Sequence, residues 1–105
     1  MNKEKAIDLS VEIRRLVKNL PAEEEDVLAE MLLRDTVDVA TNIAKSEPED
    51  LSAAERNEFL SAARGKVAAV ETLLLICVEL NYFGEKEIEP AMNLCAELGK
   101  VLSEP

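Results

Sequence analysis

The stretch FLSAARGKVAAVETLLLICVEL, Phe59–Leu80, decides how this chain folds. From Val67 onward only Glu71, Thr72 and Glu79 interrupt its apolar residues. Upstream, Ser52 followed three residues later by Glu55 fits a capping box, in which a hydroxyl and a carboxylate satisfy opposite backbone donors. The helix that starts there is expected to run to about Tyr82 and to stop at Gly84, a rod of roughly 40 Å at ~1.5 Å per residue. Between Leu73 and Val78 it is apolar nearly all round. Such a helix must be covered on every side, whereas a four-helix bundle covers only one. The excess surface predicts self-association. Gly65 fits the same reading, since a glycine inside a helix costs about 1 kcal/mol relative to alanine. Ala62, Gly65 and Ala69 offer small surfaces that let another helix approach closely.

Three further segments read as helices. Ala6, Leu9, Ile13, Leu16 and Leu20 recur at spacings of three and four and draw one apolar stripe down a first helix that ends near Asn19. A second begins after Pro21, where Glu23 to Asp26 place carboxylates at the positive end of a helix dipole, and runs to about Lys45 before Pro48. Arg34, Asp35, Asp38, Thr41, Asn42 and Lys45 fall in a sector of roughly 120° on its wheel, leaving most of the remainder apolar. A fourth starts around Glu87 to Glu89, with Pro90 in its first turn, and buries Ile88, Ala91, Leu94, Cys95, Leu98 and Leu102. Short connections imply antiparallel neighbours, so the expected fold is all-α: an up-down-up-down four-helix bundle, with residues 1–105 as a single domain. The composition agrees, with 48% hydrophobic and only 3% aromatic residues and an abundance of Ala, Leu and Glu. No apolar run reaches the ~18 residues needed to cross a bilayer and no leader-like start is seen, so a cytoplasmic protein is expected. Cys77 and Cys95 lie in helical apolar patterns without a Cys-x-x-Cys spacing and read as buried reduced thiols.

Chemistry finds little footing. The chain has no histidine, which removes Ser-His-Asp and Cys-His arrangements, imidazole zinc sites and the Glu-x-x-His pairs of di-iron bundles. Its three glycines, Gly65, Gly84 and Gly99, are isolated and build no phosphate loop. No enzyme, cofactor or metal is expected. Glu71 is the one carboxylate set among apolar neighbours, near Val67, Leu74, Leu75 and Val78. A desolvated carboxylate needs a cation, and Arg34 on the second helix or Arg64, two turns earlier on the same helix, is the expected partner in a structural ion pair.

These residues resemble a family. EFLSAARGKVAAVET, Glu58–Thr72, LLRDTVDVATNIAK, Leu32–Lys45, and ELNYF, Glu79–Phe83, are similar to segments of the bacterial four-helix-bundle proteins called 23S rRNA intervening-sequence proteins, whose relatives include the accessory variability determinant of diversity-generating retroelements. Arg34 matches the second arginine of that family's pattern and Glu71 the second of its paired glutamates. Leu33, Ala69, Lys45 and Ser46 depart from it, and the loop from Ser46 to Leu51 lacks the usual Gly-Arg-rich character. The resemblance implies a homo-oligomeric bundle, typically a pentameric ring, without known catalysis; in the retroelement branch the ring binds a reverse transcriptase and its nucleic acid.

Charge divides the functional readings. The net charge of −10 weighs against nucleic acid, because Lys and Arg neutralising phosphates supply most non-specific affinity. Residues 1–20 are nevertheless basic, with Lys3, Lys5, Arg14, Arg15 and Lys18 against Glu4, Asp8 and Glu12. The first reading is a self-assembling accessory module whose partner is a protein such as a reverse transcriptase. The alternative is a ring that contacts RNA or DNA directly through Arg14, Arg15 and Lys18, repeated in each subunit as a positive belt.

Overall fold

The computed structural model describes residues 2–20 and 25–103 as a rod of 45 × 23 × 19 Å built from helices. They are α1 (Asn2–Val17), α2 (Glu30–Lys45, led in by a π-helical turn at Glu25–Ala29), α3 (Ala53–Glu79) and α4 (Glu85–Leu102). Each helix packs on its neighbours in the chain, and α1 closes the circuit against α4, which leaves α1 diagonal to α3. The result is a four-helix bundle. The expected start of the second helix, with its carboxylate run from Glu23, lies partly outside the described residues.

One stripe per helix fills the core. Ala6, Leu9, Ile13 and Leu16 of α1, Leu32, Val39 and Ile43 of α2, Ala63, Val67, Val70, Leu74 and Cys77 of α3, and Ile88, Ala91, Cys95 and Leu98 of α4 are buried together. Leu94, expected in this set, is only half-buried. Thr36 is also fully buried, and its hydroxyl donates to the Leu33 carbonyl at 3.0 Å, so no donor is stranded. At the start of α3 the capping box forms as expected: the Ser52 hydroxyl accepts from the Glu55 N–H at 3.0 Å, and the Glu55 carboxylate accepts from the Ser52 N–H at 2.9 Å. The Ser52 N–H first, and the Ser52 hydroxyl second, hold the Glu55 carboxyl below its usual pKa. The loop before it is tied by Arg56, which donates to the carbonyls of Ser46 (3.1 Å) and Pro48 (2.8 Å).

Two boundaries differ from the sequence reading. The residue that ends α3 is Asn81, not Gly84. Asn81 sits in the left-handed region at φ 63°, its N–H donates to Val78 (2.9 Å), and the Tyr82 N–H reaches back to the Cys77 carbonyl (2.9 Å). This is a Schellman closure with asparagine in the place glycine usually takes. Gly84 instead caps the next helix, its N–H held by the Glu87 carboxylate at 2.8 Å. Helix α4 therefore opens at Glu85, and Pro90 falls in its second turn rather than its first. Asn81→Gly is expected to preserve or raise the melting temperature, whereas Asn81→Val should destabilise by about 1–2 kcal/mol, because a β-branched residue resists the left-handed conformation. Paired denaturant titrations check this.

Candidate interaction surfaces

A shallow groove of about 490 Å³ runs along the seam of α1 and α2. Residues 7, 11, 14 and 18 recur at spacings of three and four, so Ile7, Val11, Arg14 and Lys18 stack along one face of α1. Val37, Ala40 and Thr41 of α2 form the opposite wall. The middle is apolar and unusually open, with Val11 64% and Val37 53% exposed. Arg14, Arg15 and Lys18 surround one end, and no carboxylate is among the described residues that line the groove. Arg15 is engaged by Glu12, one turn back, at 2.5 and 2.6 Å, and this hydrogen bond and charge raise its pKa further. Among the described residues Arg14 and Lys18 have no ion-pair partner.

A second apolar surface caps α3. Leu73, Leu74 and Cys77 are buried, but Leu75 (51%), Ile76 (41%) and Leu80 (49%) face outward over one and a half turns, with Glu79 between them. Val27 and Met31, near the start of α2, are also exposed. The small residues of α3 do not form a close helix contact within the chain. Gly65 and Ala62 are exposed, Ala69 is half-buried, and a Cβ built on Gly65 meets nothing within 4 Å. Ala63 is the small residue that α3 turns into the core.

The expected ion pairs of Glu71 are not formed. Arg34 bonds Glu30, one turn back on the exposed side of α2, and Arg64 donates to the Leu102 carbonyl of α4 at 3.1 Å. Glu71 itself is only half-buried and lies beside Cys95, so water solvates it and the premise of a stranded carboxylate fails. The charged link between α2 and α3 comes from Lys66, whose ammonium lies 3.2 Å from Asp35 and 3.4 Å from Asp38. Asp35 is folded inward, its side chain 13% exposed, and its hydrogen bond and charge, with those of Asp38, raise the Lys66 pKa. A helical wheel places Asp35 and Asp38 in the polar sector of the second helix and does not single out this set.

Both cysteines are buried, and they form no disulfide with each other. Burial, with the Glu71 charge behind it, pushes the Cys95 thiol up to about 12. Among the described residues, no cluster of three or more Cys, Asp or Glu side chains is placed to hold a metal ion, and no helix is long and apolar enough to cross a membrane.

Two outcomes follow. In a double-mutant cycle, Asp35→Asn with Lys66→Met should show a coupling of about 1 kcal/mol or less that shrinks with salt, because the pair is partly exposed; Glu71→Gln with Arg34→Met should be additive. Cys95 should resist alkylation in the native state at neutral pH. Its folded pKa lies above the ordinary 9.0, so the stability from keeping it a neutral thiol is complete below pH 9.0 and is lost as pH rises toward about 12. Alkaline denaturant titrations of wild type against Cys95→Ala read that loss directly.

The model of one protein family, 23S rRNA-intervening sequence protein, matches residues 2–104. Among solved structures, the chain is similar to a protein of unknown function from the S23 ribosomal protein family of Bacteroides thetaiotaomicron VPI-5482. The two are 25% identical, with a TM-score of 0.87 over 97% of this chain and 94% of that one. None of the curated proteins matches the chain. With a match that runs almost from end to end, the chain belongs to the 23S rRNA-intervening sequence protein family.

Proposed function

We propose that this protein is a non-catalytic accessory module of the cytoplasm that assembles with copies of itself into a ring and acts by binding a protein partner. A reverse transcriptase or another nucleic-acid-processing enzyme is the partner class that the family resemblance suggests, and five subunits the ring size. The observation that carries the reading is apolar surface left open by the chain's own bundle: Ile7, Val11 and Val37 on one side, Leu75, Ile76 and Leu80 on another. Surfaces of this kind mark interaction sites. The cross-links between elements support an up-down-up-down antiparallel order. Lys3 at the start of α1 meets Glu47 just past α2 (3.2 Å), Arg56 near the start of α3 meets Ser46, and Lys5 meets Glu97 late in α4. Two buried cysteines without a disulfide suit a reducing compartment.

Direct binding of RNA or DNA through α1 is the second reading, favoured by Arg14 and Lys18, which have no ion-pair partner among the described residues. Arg15 at this belt is held by Glu12.

Light scattering behind a sizing column is expected to give a multiple of the 11.6 kDa chain mass at micromolar concentration. A monomer would remove the self-assembly reading. Titration of the assembly with labelled RNA across a salt series separates the two readings: a phosphate-binding belt loses affinity steeply as salt rises, and an accessory module that works through protein contacts shows no such affinity to lose.

A further inference from the structure

Resting on the self-assembly reading, we propose that the outer face at the end of α3 in one copy seats in the α1–α2 groove of the next, joining copies head to tail. The two surfaces are both apolar and carry opposite charge. Ile76 and Leu80, four apart, stand one above the other and form an apolar knob, with Leu75 exposed beside Ile76. The groove offers an apolar floor of Val11 and Val37 to receive it. From Val67 to Leu80 α3 carries no basic residue, and Glu79 lies within the knob. At the groove, Arg14 and Lys18 have no ion-pair partner among the described residues, and no described carboxylate lines it. Burying the knob there covers two of the open apolar surfaces at once and sets a carboxylate near two cations.

The placement of the helices determines the symmetry of the contact. The groove is lined by residues of α1 and α2 and the knob belongs to α3, so the two are separate surfaces of one copy. Each copy then uses two different surfaces toward two different neighbours. That is a heterologous contact, which builds a ring where the rotation closes.

The test exploits this asymmetry. Val11→Glu disables the groove and leaves the knob, whereas Ile76→Glu disables the knob and leaves the groove. Both residues are exposed, so each variant should keep the wild-type helical circular dichroism; if either does not, Val11→Ser and Ile76→Ser replace them. By light scattering each variant alone is expected to run at the 11.6 kDa chain mass. An equimolar mixture is expected to form a species of twice that mass and no larger, because one intact knob meets one intact groove and both free ends are dead. The double variant mixed with either single variant should stay monomeric. The proposal is overturned if either single variant keeps the wild-type assembly, or if the mixture stays monomeric while the wild type assembles. In those cases self-assembly stands and uses other surfaces, and the groove is left to a different protein. A monomeric wild type overturns both.

Discussion

Four helices around one core can each turn a single stripe inward, and this limit governs the rest of the structure. Helix α1 conforms in its core stripe, with Ala6, Leu9, Ile13 and Leu16 buried, and α4 conforms with Ile88, Ala91, Cys95 and Leu98. Helix α3 cannot. Its run from Leu73 to Val78 holds apolar residues at successive positions, so whichever orientation buries Leu73, Leu74 and Cys77 must turn Leu75 and Ile76 outward. The same geometry acts at the seam of α1 and α2, where the core takes Leu32, Val39 and Ile43 and leaves Val37 outside opposite Val11. The open surfaces are therefore a consequence of helical phase, and rotating a helix would only exchange one exposed set for another.

Electrostatics is arranged around this packing instead of directing it. Each ion pair among the described residues keeps at least one partner well exposed: Lys66 with Asp35 and Asp38, Lys3 with Glu47, Lys5 with Glu97, Arg15 with Glu12 and Arg34 with Glu30. Pairs of this exposure contribute little individually, so they adjust register and solubility while apolar burial supplies the stability. Arg14 and Lys18, without an ion-pair partner among the described residues, are a local exception to a net charge of −10, beside the open Val11 of the first helix.

Helix periodicity made the helical content and most of the core legible before any coordinates, because each stripe is long and the capping box at Ser52 is a strong local signal. The boundary between α3 and α4 was not, for a specific reason. Asparagine is the less frequent left-handed terminator, so Gly84 drew the stop signal that Asn81 actually carries. Glu71 was misread because a helical wheel reports neighbours on the same helix and not how deeply the helix sits; a half-buried carboxylate needs no arginine. Asp35 was missed by the converse error, since a polar residue in a polar sector can still be folded inward by a lysine on the next helix. The groove lay beyond sequence reasoning altogether, because it is made jointly by two helices whose relative rotation no single-helix pattern contains.

The central claim is that apolar residues open on one chain are closed by another, and thiol accessibility measures it most directly. With Cys77 and Cys95 buried, a cysteine placed at Val11 or at Leu75 reports on its own surface. The account predicts that Val11→Cys and Leu75→Cys both react slowly with a water-soluble alkylating reagent at micromolar protein concentration, and that both accelerate together on dilution as the copies separate. Reaction at the rate of an unfolded cysteine, unchanged across the dilution series, would contradict it.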